Sequence, residues 1–436
     1  MNMKINKTEK LAGNVTPPSS KSQSIRALFI ATLAGGKSVL NNVLESDDTK
    51  AAKNVCRGLG AKLTESKENG QVKIEVESDG APLENSENRL FADNSGVTTR
   101  LVMPVLGLRK NFNEKIILDC GEQMRKRLVQ SLISALNNLG MNVVSQNNNG
   151  TCPLEVFGKL LGGKTEVDGV TSQFLSALLL SLPCAENDSE IMVKNLQEKP
   201  YVEMTLAWLD EQKIKYEHIK QNNTDIYKVA GKQKYHTFEK AIPADFSSAS
   251  YLIAAAVLID GEVEIGGMDM TEHQGDKRLV YILQEMGADI KIDSVNNALI
   301  IKGAKPLKGM KIDANDIPDM VPTLAVVGTR ADGETEIYNV AHARIKETDR
   351  IHSMTQGLTK MGAAVIEKPD GLIVRQSSLR GIEVHGFEDH RTVMSLALAG
   401  LMAEGETTID TAESINKTFP AFVEKMNDIG AKIEIV

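Results

Sequence analysis

The chain has 436 residues, a length that predicts two or more domains with sizeable cores. Its formal net charge of −8 argues against a general surface for nucleic acids or anionic membranes, and an aromatic content of 4% argues against base-stacking platforms. The longest apolar runs, residues 174–182 and 251–259, are far too short to span a bilayer. We therefore expect a globular protein with no nucleic-acid and no membrane partner.

The N-terminus and the cysteines predict the compartment. Met1–Gly13 is polar and rich in lysine, so no signal peptide is expected. Cys56, Cys120, Cys152 and Cys184 lack the spacing of metal ligands or of redox motifs. Reduced thiols, a cytoplasmic location and no metal site are predicted.

The first informative element is residues 17–28, with the sequence PPSSKSQSIRAL. The prolines favour an extended entry, and the following serines suit a helix N-cap before the apolar run 25–33. Ser22 and Arg26 share a helix face, and Lys21 lies beside the first turn. Because cations repel the positive end of a helix dipole, this arrangement predicts a phosphate or carboxylate bound between them. The alternative is a serine-capped helix with solvated basic residues.

A small-residue helix followed by a turn and a strand recurs along the chain, and a second helix with a C-terminal glycine and another strand follows it. The first pattern occupies residues 28–39, 252–265, 324–337 and 396–409; the second occupies 56–63, 136–143, 283–290, 358–365 and 426–433. We count six helix–strand–helix–strand units at a spacing of roughly 70–80 residues. Such repeats predict an α/β architecture of stacked units.

Basic residues recur where the later helices are predicted to begin. These starts are residues 94–100, 124–127, 198–201, 345–350, 389–391 and 417–420. If the repeats stack in one direction, these N-termini converge on one cleft. The positive groups of that cleft would be Lys21, Arg26, Arg127, Lys346, Arg350, Arg391 and Lys417. Their number suits two small phosphorylated carboxylates.

Two acids lie among these cations. Asp319 ends an extended segment ahead of a predicted helix, and Glu347 lies three residues before Arg350. A helix N-cap for Asp319 and a surface salt bridge for Glu347 are the structural alternatives. Neither alternative explains why both acids lie beside cation-rich helix starts.

Seven short motifs together resemble the EPSP synthase (3-phosphoshikimate 1-carboxyvinyltransferase) family over nearly the whole chain. They are Ser20-Lys21-Ser22 with Arg26, Asn94-Ser95-Gly96 with Arg100, Thr171-Ser172-Gln173, Ile317-Pro318-Asp319, Lys346 to Arg350, Asp389-His390-Arg391 and Lys417 to Pro420. The resemblance implies an α/β fold: a two-domain inside-out α/β barrel of six repeated helix–strand units, three per domain, with the active site in the interdomain cleft. Residues 1–18 and 243–436 would form a discontinuous domain on the acid/base and phosphoenolpyruvate side. Residues 19–242 would form the inserted domain on the shikimate 3-phosphate side.

The resemblance also implies a reaction, the transfer of the enolpyruvyl group of phosphoenolpyruvate to the 5-hydroxyl of shikimate 3-phosphate. The shikimate 3-phosphate residues would be Lys21, Ser22, Arg26, Thr171, Ser172, Gln173, Asp319 and Lys346. The phosphoenolpyruvate residues would be Lys21, Gly96, Arg127, Gln173, Arg350, Arg391 and Lys417. Asp319 would take the hydroxyl proton and Glu347 would deliver a proton to the methylene carbon, with Lys21 as a third candidate for proton transfer. The family implies no cofactor and no metal, and we expect a monomer.

One departure from the family pattern and two rival functions need to be considered. Glu198 stands where the family often has a serine that contacts the substrate phosphate, so that role passes to Lys199 or to neither residue. The sister family, UDP-N-acetylglucosamine enolpyruvyl transferase, uses a loop cysteine, and Cys120 lies seven residues before Arg127. A packed thiol at the end of a strand is the alternative for Cys120. The other rival is a non-catalytic anion-binding scaffold, which would have lost its acids.

Overall fold

The computed structural model describes residues 1–68, 70–222 and 224–436. The chain forms two compact units. The discontinuous unit comprises Met1–Ser20 and Pro243–Val436, and the inserted unit comprises Lys21–Ile242. The chain therefore leaves the first unit after its second strand and returns to it beside the same segment, where the Ser20 amide donates a 2.8 Å hydrogen bond to the Pro243 carbonyl.

The secondary structure alternates between helices and short strands throughout both units. The strands are β1 (Met3–Asn6), β2 (Lys10–Val15), β3 (Gly36–Asn41), β4 (Lys62–Glu68), β5 (Gln71–Ser78), β6 (Arg89–Phe91), β7 (Ile116–Asp119), β8 (Met141–Ser145), β9 (Leu154–Gly158), β10 (Gly163–Asp168), β11 (Ser189–Lys194), β12 (Tyr216–Gln221), β13 (Thr224–Val229), β14 (Glu239–Ala241), β15 (Asp260–Gly266), β16 (Asp289–Asp293), β17 (Ala298–Lys302), β18 (Leu307–Lys308), β19 (Lys311–Asp313), β20 (Ala331–Asp332), β21 (Glu334–Tyr338), β22 (Ala364–Lys368), β23 (Gly371–Arg375), β24 (Glu383–Val384), β25 (Thr407–Ile409) and β26 (Lys432–Ile435). The helices are α1 (Lys21–Leu33), α2 (Asp47–Gly58), α3 (Gly96–Val105), α4 (Glu122–Arg125), α5 (Gln130–Asn138), α6 (Ser172–Ser181), α7 (Lys199–Glu211), α8 (Phe246–Leu258), α9 (Arg278–Met286), α10 (Val321–Gly328), α11 (Arg350–Lys360), α12 (His390–Gly400) and α13 (Phe422–Asp428).

Six four-stranded sheets form within the described residues, three in each unit, and they share one topology. Each begins with a parallel pair and continues with two antiparallel pairs, as in the order β10-β11-β13-β12. In that sheet Thr165 lies opposite Ile191, which in turn lies opposite Tyr227. The six predicted repeats are confirmed. Each repeat contains more strands than the predicted helix–strand–helix–strand unit, because the second helix is followed by a hairpin rather than by a single strand.

Three helices in each unit are buried along almost their whole length. In the inserted unit they are α1, α3 and α6, and in the discontinuous unit α8, α10 and α12. Small and aliphatic residues on all sides of these helices let them pack on one another, since a helix that is apolar all round must be surrounded. The sheets cover them and bury alternate residues, as in β11. Helices inside and sheets outside confirm the predicted inside-out α/β fold.

Several basic residues lie elsewhere than at the helix starts predicted for them. The short helix α4 ends at Arg125, so Arg127 lies in the turn that precedes α5. Lys417 ends a 3₁₀ helix, Ala412–Lys417, rather than opening an α-helix. Lys346 and Glu347 precede α11, because Asp349 is the residue that caps this helix, accepting from the His352 amide. The position of the Asp349 cap therefore places Lys346 and Glu347 before the first turn of α11.

Among the described helices, none is both long enough and apolar enough to cross a membrane.

Candidate functional site

In the inserted unit, the N-terminus of α6 binds the carboxylate of Glu198. Thr171 is the N-cap, and its side chain accepts from the Gln173 amide. Glu198 Oε2 accepts from the Ser172 amide at 3.1 Å, from Ser172 Oγ at 2.8 Å and from Thr171 Oγ1 at 3.5 Å. These donors and the positive end of the helix dipole form an anion-binding arrangement. Glu198 is 2% exposed, so this contact lies inside the unit.

Lys21, the first residue of α1, forms an ion pair with a carboxylate from the next helix. Its Nζ lies 3.0 Å from Asp48 Oδ2, and Asp48 is itself buried. Asp48 stands in the first turn of α2, which Ser46 and Thr49 close in a reciprocal capping box. Asp48 therefore holds Lys21 at the start of α1, a contact that the sequence analysis missed.

Arg26 lies one turn further along α1 and is 3% exposed. Its donors bond to Thr205 Oγ1 at 2.8 Å, the Tyr201 carbonyl at 3.0 Å, the Ser22 carbonyl at 3.1 Å and Ser176 Oγ at 3.4 Å. All of these acceptors are neutral. Burial away from water lowers the pKa of the Arg26 guanidinium to about 10. Arg26 thus joins α1, α6 and α7 while keeping a positive charge in the interior.

A second cationic group surrounds the start of α3. Ser95 caps this helix, and Arg100 Nη1 donates a 2.6 Å hydrogen bond to the side-chain oxygen of Gln173 on α6. A Cβ on Gly96 would lie 2.8 Å from Arg100 Nη1 and 2.9 Å from Arg127 Nη1. Two guanidinium groups therefore approach the backbone at Gly96, and a side chain at this position would displace them. Arg100 thereby links Gln173 to the group that Gly96 and Arg127 form.

In the discontinuous unit, Arg350 is the centre of a cluster of acids. Its Nη1 lies 2.6 Å from Asp319 Oδ1, its Nη2 2.6 Å from Glu347 Oε2, and its Nε 3.1 Å from Asp389 Oδ2. Arg350 is 1% exposed. Burial alone would lower the pKa of its guanidinium, but the charges of Asp389, Glu347 and Asp319 outweigh burial and raise that pKa above its ordinary value.

Arg391 binds the second oxygen of the same acid. Its Nη2 lies 2.6 Å from Asp319 Oδ2, so the Asp319 carboxylate bridges two arginines. Asp389 positions both partners, since it caps α12 by accepting from the Arg391 and Thr392 amides while its other oxygen binds Arg350. Asp319 lies in the 3₁₀ turn Pro318–Met320 and caps no α-helix, so its alternative interpretation as an N-cap is wrong.

Asp276 is a buried acid beside this cluster that the sequence analysis missed. It is 3% exposed and shares a short hydrogen bond with Ser247 of α8. Burial, followed by the negative charges of Asp319 and Asp245, raises the pKa of the Asp276 carboxyl to about 7 against the opposing charge of Arg391. Burial and the Asp319 charge therefore favour the neutral form of the Asp276 carboxyl.

Lys346 and Lys417 belong to the discontinuous unit, and Cys120 belongs to the inserted unit. Lys346 is half-buried and follows the 3₁₀ helix Ala341–Ile345. Lys417 is 8% exposed and ends the 3₁₀ helix that packs against α12, which carries Arg391. Cys120 is fully buried at the end of β7, as expected of a packed thiol. Within the described ranges, no group of three or more His, Cys, Asp or Glu side chains is placed to hold a metal ion.

Comparisons with known proteins agree over the full length. Residues 5–426 match the family model described as EPSP synthase (3-phosphoshikimate 1-carboxyvinyltransferase). Relatives named 3-phosphoshikimate 1-carboxyvinyltransferase come from Acetivibrio thermocellus, 46% identical with 99% of each chain covered, and from Ruminiclostridium cellulolyticum, 43% identical with 100% covered. The solved EPSP synthase of Acinetobacter baumannii is 25% identical, with a TM-score of 0.82 and 99% of each chain covered.

Proposed function

Because the chain belongs to the EPSP synthase (3-phosphoshikimate 1-carboxyvinyltransferase) family, we propose which of its residues carry out the reaction of that family. The enzyme is a transferase of the shikimate pathway, which leads to the aromatic amino acids. It moves the enolpyruvyl group of phosphoenolpyruvate to the 5-hydroxyl of shikimate 3-phosphate and releases phosphate. A new C–O bond forms at the enol carbon and the bond from that carbon to phosphate breaks.

Asp319 is the proposed base, and its bridging position carries the proposal. Both of its oxygens contact arginines, yet its side chain is 18% exposed while that of Arg350 is 1% exposed. A substrate hydroxyl therefore reaches Asp319 more readily than the arginines behind it. Arg350 and Arg391 are the proposed partners of the phosphoenolpyruvate anion. As they turn towards it, the Asp319 oxygens become available to accept the 5-hydroxyl proton in the transition state.

Glu347 is the proposed acid for the methylene carbon. Its side chain is 12% exposed and contacts Arg350 at 2.6 Å, so one guanidinium positions both acids. Protonation makes the enol carbon electrophilic, and loss of phosphate with return of a proton from the new methyl group restores the double bond. Lys21 stays the third candidate for proton transfer. Cations near the reacting carbon stabilise the charged intermediate.

The proposed shikimate 3-phosphate residues are Lys21, Ser22, Arg26, Thr171, Ser172, Gln173, Asp319 and Lys346. The donors of Thr171 and Ser172 support this role, since they already bind a carboxylate. Arg26 is fully engaged with protein acceptors, so we assign it to charge and positioning. For phosphoenolpyruvate we propose Lys21, Gly96, Arg127, Gln173, Arg350, Arg391 and Lys417, supported by the two guanidinium groups at Gly96.

The test is phosphate release from phosphoenolpyruvate with each of two acceptors. We expect release with shikimate 3-phosphate and none with UDP-N-acetylglucosamine. Release with UDP-N-acetylglucosamine alone would show that the protein catalyses the sister family's reaction. Release with neither would favour the anion-binding scaffold, a function against which the presence of Asp319 and Glu347 argues.

We also propose that the enzyme acts as a monomer in the cytoplasm. The free thiols Cys56, Cys120, Cys152 and Cys184 support a reducing compartment. Sedimentation velocity of the purified protein tests the oligomeric state, with a single species near the chain mass of 47.5 kDa expected.

A further inference from the structure

Glu198 occupies hydrogen-bond donors that a phosphate would use. Its carboxylate accepts from the amide and the hydroxyl of Ser172 and from the hydroxyl of Thr171, at 2.8–3.5 Å. Phosphate oxygens bind amide and hydroxyl donors of this kind at helix N-termini. Helix α6 has ten residues and no acid of its own in the first turn, so the negative charge at its start comes from Glu198.

The backbone of Glu198 is unusual for its residue type. Glu198 precedes α7 and has φ 54° and ψ 41°, the left-handed region that L side chains rarely adopt. This conformation turns the side chain away from its own helix and towards α6. The contact therefore depends on a backbone conformation that an L residue other than asparagine or aspartate seldom adopts.

Two negative groups cannot share these donors without strong repulsion. A carboxylate that only capped α6 would belong to the fold, and its removal would weaken the fold without improving substrate binding. A carboxylate that competes with substrate would do the opposite, because its removal would leave the same donors open to phosphate.

We propose that Glu198 is an internal competitor for the phosphate group of shikimate 3-phosphate. The substrate binds only when its phosphate displaces the Glu198 carboxylate from Ser172 and Thr171. Glu198 thereby sets the affinity for this substrate and leaves that for phosphoenolpyruvate unchanged. The inference rests on the proposed role of Thr171 and Ser172 in binding the substrate phosphate.

The test compares Glu198→Ser and Glu198→Gln with Glu203→Gln. Glu203 is an exposed residue of α7, so its substitution removes the same charge from the same helix without touching α6. We expect Glu198→Ser to lower the KM for shikimate 3-phosphate about tenfold or more, since one charged competitor of the donors is lost. Glu198→Gln, which keeps the shape, should give a smaller decrease. The KM for phosphoenolpyruvate and all constants of Glu203→Gln should stay within about twofold of wild type.

A second readout is independent of the reaction. Inorganic phosphate is titrated while the Tm is measured, since a ligand that binds the folded state raises it. We expect phosphate to raise the Tm of Glu198→Ser and of Glu198→Gln more than that of wild type. An unchanged or higher KM for shikimate 3-phosphate in both variants, or equal phosphate stabilisation in all proteins, would overturn the inference. Wild-type enzyme that releases no phosphate with shikimate 3-phosphate would instead refute the proposed function, and the phosphate titration would still decide the role of Glu198.

Discussion

Two buried arginines, one in each unit, have opposite surroundings. Arg350 contacts Asp319, Glu347 and Asp389, and its pKa is raised. Arg26 contacts neutral hydroxyl and carbonyl groups, and its pKa is lowered to about 10. An anion that approaches Arg350 must compete with acids that already neutralise it, whereas no acid among the described residues forms an ion pair with Arg26. Arg350 is thus suited to a site where the acids around it exchange hydrogen-bond partners during a reaction. Arg26 is suited to attracting an anion.

The largest expected effect is that of Arg350→Met on stability. Removal of one partner from a buried ion cluster leaves uncompensated charge, which typically costs about 3–5 kcal/mol of unfolding free energy. Urea unfolding at neutral pH measures it, with Arg330→Met as the control, because Arg330 is exposed on the same unit. A loss no greater than that of the control would show that the carboxylates do not depend on this guanidinium.

Arg26→Met should cost less. Its loss removes buried hydrogen bonds to neutral acceptors, and the loss of such a partner costs about 1–3 kcal/mol. The same urea experiment compares the two variants directly. If Arg26→Met were as destabilising as Arg350→Met, or more so, the contrast between neutral and ionic surroundings would be wrong.

Asp276 should make the stability of the unit that contains Arg350 depend on pH. Its pKa is raised from an ordinary 3.8 to about 7 by burial and by the charge of Asp319. Between these values the folded state holds a proton that the unfolded chain has released, so this acid lowers stability as pH rises towards 7. Replacing Asp276 should therefore reduce the fall in unfolding free energy with rising pH, by about 1.4 kcal/mol per pH unit at most. Unfolding of Asp276→Asn and wild type at pH 5 and at neutral pH measures this. Parallel pH profiles for the two proteins would contradict the assignment.

The repeats could be read from the sequence because their signals are local. Glycine after the last turn and small residues along a helix mark each unit, and the buried helices α8, α10 and α12 follow from them. The arrangement of charges around Arg350 could not be read in this way. Asp319 and Asp389 lie 31 and 39 residues from Arg350, and only the packing of helices joins them.

Capping also limited the prediction of single side chains. The helix before Arg127 ends after one turn, so a basic run that was expected to open a helix lies at the end of one instead. For Glu198 the sequence indicated only the loss of a serine that contacts phosphate in the family, and its contact with Ser172 depends on a left-handed residue that no propensity favours. Asp276 gave no sequence signal, because its burial and its proximity to the Asp319 charge arise from tertiary structure.

The most direct test of the account is the Asp319→Asn variant, examined for binding and for turnover together. Asparagine keeps the size of the side chain but cannot accept the hydroxyl proton, so kcat for phosphate release should fall by roughly 10²–10⁴-fold. Calorimetric binding of shikimate 3-phosphate should be retained or tightened, because a negative charge has left a site for anions. Near-normal kcat in this variant would contradict the account and pass the role of base to Glu347 or Lys21.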